Sequence, residues 1–188
     1  MKKIFLASSL LLTACGVQSI PTQLNEVEGS WAEVQNQYQR RADLVPNLVE
    51  VVKGYAKHES ETLEAVIAAR AQATQVKLDA SNLNEANLKR FQDAQSQLGS
   101  TLSRLMVVAE QYPQLKANEN FRDLQVQLEG TENRITVARN RYIEQVKVFN
   151  NLVTVFPTSL TNSLFFKHEK KAQFAADAGS EKAPTVKF

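Results

Sequence analysis

Residues 121–156 read FRDLQVQLEGTENRITVARNRYIEQVKVFNNLVTVF. Phe121, Leu124, Leu128, Thr131, Ile135, Ala138 and Tyr142 recur at steps of three and four; after a one-residue slip, Val146, Phe149, Val153 and Phe156 resume the pattern. This spacing draws a single apolar stripe along about ten turns of α-helix. A strand would alternate with period two, and no sustained alternation occurs here or elsewhere in the chain.

Working outward, the same period recurs twice. One stretch carries Leu24, Val27, Trp31, Val34, Tyr38, then Val45, Leu48, Val52, Tyr55, then Thr62, Val66, Ala69 and Ala73. Another carries Leu88, Phe91, Gln95, Leu98, Leu102, Leu105 and Ala109. Long stripes of near-heptad spacing predict an all-α fold, an elongated antiparallel bundle of three to four long helices. Leu78–Asn82 reads as a polar connection, Tyr112-Pro113 as the end of the middle helix, and Asn118 as an N-cap. Phe156-Pro157 stops the last long helix, and Ser159 is placed to cap a short apolar helix through Leu164-Phe165-Phe166. Pro46 predicts either a kinked continuous helix or two helices meeting near Ala42. On that reading, helices over 43–78, 84–111 and 118–156 are roughly 54, 42 and 58 Å long. Residues 22–42 fold alongside them or form a stalk.

Composition agrees with this pattern. Gly and Pro number 6 and 5 among 188 residues, about half the average share. There are 22 basic and 20 acidic residues; Lys2 and Lys3 belong to a leader, and without those two the balance is zero. A neutral body has no footprint for nucleic acid or for an anionic membrane surface.

The N-terminus reads as an address. Lys2 and Lys3 precede Ile4–Leu12, a run too short to cross a bilayer and suited to a secretory leader. Leu12-Thr13-Ala14-Cys15 has the pattern of a bacterial lipobox, and Cys15 is the single cysteine of the chain. The expected organisation is a signal peptide over 1–14, an acylated tether over 15–22, a bundle over 23–168 and a mobile tail over 169–188. Gly16 rather than Asp follows the cysteine. The expected location is therefore the envelope, at the periplasmic face of the outer membrane where the organism has one.

Chemistry is sparse. His58 stands in Lys57-His58-Glu59, but position 62 is Thr, so the paired histidines of a helical zinc protease are missing. His168 is isolated. Glu129 and Glu132 fall three apart, but no Glu has His three residues later, as di-metal bundles require. The glycines, at 16, 29, 54, 99, 130 and 179, form no phosphate loop. These counts predict no metal, no cofactor and no enzyme. Arg41 and Glu59 interrupt the first apolar stripe. Either a stutter turns them outward, or they form a buried pair that fixes register, with Glu59 reaching Arg134 or Arg139.

Several blocks resemble the LemA family. They are QRRADLVPNLVEVVKGYAKHESETL at 39–63, EQYPQLKANENF at 110–121, LEGTENRI at 128–135 followed by ARNRY at 138–142, then Phe156-Pro157 and Leu164-Phe165. The resemblance implies an all-α bundle in a bacterial envelope protein, with no known enzymatic activity and no catalytic residues to carry over. Many members look anchored by an N-terminal transmembrane helix, whereas this chain has a lipobox. The resulting expectation is a lipid-anchored, non-enzymatic scaffold or adaptor for another envelope protein. The alternative is a bundle that binds a small apolar ligand or lipid, with Leu164–Phe166 as lid or membrane contact.

Overall fold

The computed structural model describes residues 2–56 and 58–175, with side chains from Val17 onward except at Ser81. The leader expected over 1–14 and the acylation expected at Cys15 concern side chains outside that description, and the tail beyond Ala175 lies outside the described residues.

The described residues are all-helical, with no strand. Six α-helices occur among them: α1 (Lys2–Tyr55), α2 (Ser60–Gln75), α3 (Glu85–Ala109), α4 (Pro113–Lys116), α5 (Glu119–Thr154) and α6 (Thr158–Thr161). A 3-10 turn over Ala80–Asn82 precedes α3, and a π-turn over Asn162–Phe166 follows α6. Two of the six are single turns, so the count differs from the three to four long helices that the stripes predict.

α1 and α5 form the spine. Gln23 meets Gln145, Glu33 meets Arg141, Arg41 meets Glu132, and Tyr55 meets Asn118. Numbers rise on one helix as they fall on the other, so the two run antiparallel. Residues 22–42 lie alongside α5, with Val27, Trp31, Val34 and Tyr38 all buried. The tether expected over 15–22 is corrected: residues 17–22 belong to α1, and Ile20 is fully buried.

α1 passes through Pro46 without a break. Proline removes the N–H that would bond to the carbonyl of Ala42, one turn earlier. Arg70 of α2 supplies the missing donor, its Nε reaching the Ala42 oxygen at 2.8 Å. The uninterrupted helix expected over 43–78 is not found; the chain reverses between Tyr55 and Ser60. Apart from the exposed Tyr55 and the half-buried Glu59, the apolar face carries across this corner because both flanking helices face one core. Val52 and Ala56 are buried before the turn, Leu63 and Val66 after it.

The caps follow ordinary chemistry. Asn84 accepts from the Asn87 amide at 2.8 Å and Asn118 from the Phe121 amide at 3.0 Å, each satisfying an orphan donor of a helix start. Pro113 opens α4, where its missing donor costs nothing. Trp31 Nε1 and Gln35 Nε2 both donate to the Leu78 carbonyl, at 3.0 and 2.7 Å, tying the α2–α3 connection to α1.

The tail expected from 169 is corrected as far as Ala175. Asn150 bonds both the carbonyl and the amide of Lys171, at 3.0 and 2.8 Å. Tyr142 Oη donates to the Ala172 carbonyl at 2.9 Å. Phe174 is buried, its ring 6.1 Å from Trp31 and 5.5 Å from Tyr142. The alanine-rich composition that suggests mobility hides one aromatic anchor.

Candidate functional site: a buried polar layer and an apolar end

The core is divided. One cluster gathers Ile20, Trp31, Phe91, Tyr142, Phe149 and Val153; the other gathers Val45, Leu48, Val66, Leu98, Leu105 and Leu128. Between them lies a polar layer drawn from α1, α3 and α5. Arg41 sits between Tyr38 and Val45, Gln95 between Phe91 and Leu98, and Thr131 and Glu132 between Leu128 and Ile135.

Arg41 is only 3% exposed. Its Nη1 donates to Glu132 Oε1 at 2.9 Å, and its Nη2 to the Gln95 carbonyl at 2.9 Å and Oε1 at 2.8 Å. Gln95 Nε2 in turn donates to the Ala73 carbonyl at 3.2 Å, a backbone acceptor near the C-terminal end of α2. One guanidinium thus joins α1, α3 and α5, and Gln95 adds α2. Buried charge persists only when paired and hydrogen-bonded. Here Glu132 stays half in water, its side chain 45% exposed, which limits the desolvation cost. The Arg41 guanidinium carbon also lies 5.1 Å from the centre of the Tyr38 ring. Burial raises the Tyr38 phenol above its ordinary value, against the lowering pull of Arg139 and Arg41.

An open cleft of about 310 Å³ borders this layer, lined by Tyr38, Arg41, Gln95, Glu132, Thr136 and Arg139 among others. Its wall offers hydrogen-bonding and charged groups. Among the described residues, no group of three or more His, Cys, Asp or Glu could hold a metal.

The sequence-predicted residues part company. Arg41 is inward and paired, with Glu132 as its partner. Glu59 is not its mate: at the start of α2, Glu59 accepts from Tyr112 Oη at 3.0 Å, which raises the Tyr112 phenol. Arg134 faces solvent and makes no ion pair among the described residues. Arg139 lies over the Phe174 ring at 4.6 Å. Glu59 reaches neither arginine because α5 runs antiparallel to α1, so 118–130 rather than 134–139 lie beside the corner that holds Glu59. The sequence pattern alone does not single out Gln95 and Glu132 as partners. The available signal is that Arg41, Gln95 and Thr131 interrupt their three stripes at one level. His58 is exposed, and His168 stacks on Phe166 with ring centres 5.8 Å apart.

A second feature occupies the end where α1 residues near 17–20, the C-terminus of α5 and α6 meet. Phe156 is 73% exposed, Phe165 66%, Leu164 61%, Val155 56% and Leu160 47%. Phe156, read as the last residue of the α5 stripe, is therefore outside the core. No described helix is long and apolar enough to cross a membrane.

Fold and site together define an all-α protein of long packed helices, stitched at mid-length by a buried polar layer. The sequence profile of the LemA family matches residues 30–188, and the chain belongs to that family. A curated relative, Protein LemA of Metamycoplasma hominis, is 24% identical over 135 residues, covering 72% of this chain. The match spans 58% of that relative's own length.

Proposed function

We propose that this LemA-family chain is a bacterial envelope protein held to its membrane by acyl chains on Cys15, and that its helices act as a non-enzymatic scaffold or adaptor for another envelope protein. The observation that carries the adaptor reading is the outward face of α5. Val126, Val137 and Val148 are 67, 64 and 41% exposed. They follow one another at an eleven-residue spacing, which keeps side chains in line along a helix. The line is roughly 33 Å long at 1.5 Å per residue, and an amphipathic partner helix matches such a stripe. The apolar-ligand alternative is less favoured, because the cleft beside Arg41 is walled by polar groups rather than by the apolar lining such a ligand asks for.

The test is photocrosslinking in living cells from positions 126 and 137, with Ser103 on α3 as an exposed control. Capture of the same envelope protein from both valine positions, and not from 103, is expected. Val126→Glu with Val137→Glu is expected to abolish it without lowering the melting temperature. Different proteins at the two positions, or none, would contradict the adaptor reading.

A further inference from the structure

We propose that the end of the bundle built by α6 and the π-turn is a lipid-contacting tip, with Phe156, Leu160, Leu164 and Phe165 seated in the interfacial region of the bilayer. The inference rests on the acylation of Cys15 and goes further, because an acyl anchor alone leaves the body free to tilt against the bilayer.

The tip is built, not frayed. Asn162 is buried, 7% exposed, and holds the turn from within. Its Nδ2 donates to the Val153 carbonyl at 3.4 Å and to the His168 carbonyl at 2.9 Å, and its Oδ1 accepts from the His168 amide at 2.9 Å. Lys167, at φ 56°, closes the turn in the left-handed region, which costs a non-glycine residue energy. That conformation persists because the surroundings impose it. Leu164 and Phe165 are thus displayed by a fixed backbone, at 61% and 66% exposure.

The occupant follows from position. α6 packs on α1. Ile20 is fully buried in the same cluster as Val153, and Phe166 packs against it. Val17, two residues beyond Cys15, is itself 48% exposed. Two residues of helix advance only about 3 Å. Acyl chains on Cys15 therefore leave the protein at the end where the exposed phenylalanines stand. A patch elsewhere on the bundle would require a protein cover, but this one is carried to the bilayer by the anchor itself. Lys167 lies two residues after Phe165 and is exposed, so its ammonium can remain among headgroups while the rings enter.

The experiment uses the full acylated chain in vesicles of phosphatidylethanolamine and phosphatidylglycerol with brominated acyl chains. Bromine quenches tryptophan only on contact with the lipid. Trp31, 2% exposed in the core, gives a constant background. Phe165→Trp and Leu164→Trp report the tip, and Val137→Trp reports the flank. Flotation with the vesicles reads the anchor separately. The expected result is co-flotation of all variants, with a blue shift and loss of emission at 164 and 165 and none at 137. Flotation without quenching at either tip position overturns the tip and leaves the anchor standing. A blue shift without quenching shows a protein cover and also overturns it. Failure to float overturns both tip and anchor.

Discussion

Arg70 repairs Pro46. The proline leaves the Ala42 carbonyl without its helical donor, and the Arg70 Nε fills the vacancy at 2.8 Å from the neighbouring helix. The repair lets α1 continue to Tyr55 and ties α2 to it at the same point.

Arg70→Met is expected to lower stability by about 1–3 kcal/mol, the cost of an unsatisfied buried carbonyl. In a Pro46→Ala background the restored amide serves Ala42, and the same substitution should cost clearly less. Urea denaturation of the four proteins measures the coupling. Equal costs in both backgrounds would contradict the repair.

A second cycle addresses the polar layer. Arg41→Met leaves Gln95 Oε1 without its donor, and Gln95→Leu leaves Arg41 short of acceptors. The two should be non-additive, with a coupling of about 0.5–3 kcal/mol. Glu59→Gln and Arg134→Gln should show no coupling, since Glu59 is bound to Tyr112.

How far the amino-acid order reveals this architecture depends on what each residue reports. Leu88, Phe91, Leu98, Leu102, Leu105 and Ala109 on α3 are buried as their spacing demands, as are Leu128, Ile135, Ala138, Tyr142, Val146 and Phe149 on α5. Periodicity reports which face is apolar and is blind to chain direction. It therefore does not reveal the reversal between Tyr55 and Ser60, without which Glu59 falls opposite Arg134. The polar interruption at Arg41 was visible, but its partner was not. Glu132 stands one residue beyond the α5 stripe and looks like a solvent-facing carboxylate until the antiparallel pairing is known. Phe174 was hidden by its alanine-rich setting.

Glycine inside a helix is a reserve of stability. A Cβ added at Gly130 would meet nothing within 4 Å, and one at Gly99 would lie 3.7 Å from Arg41 Nη1, an ordinary contact. Gly130→Ala and Gly99→Ala should each stabilise by about 0.5–1 kcal/mol. A loss at Gly99 with a gain at Gly130 would mean that Arg41 tolerates no neighbour there.

High pH should be destabilising. Burial raises the phenols of Tyr142 and Tyr38 above their ordinary values. The folded state then holds protons that the unfolded state gives up, so stability is full below about pH 10 and falls as pH climbs through and beyond that value. Thermal unfolding at pH 8 and near pH 11 measures the drop. Tyr142→Phe should be less stable at pH 8, having lost the bond to the Ala172 carbonyl, yet should show a shallower alkaline fall. An unchanged slope would remove Tyr142 as its source.

Attachment through Cys15 is decided by the intact mass of the protein purified from its own membranes. The expected result is a mature chain that begins at Cys15 and carries acyl chains on that residue, with Cys15→Ser yielding no acylated species. A chain that retains residues 1–14 with an unmodified Cys15 would contradict it.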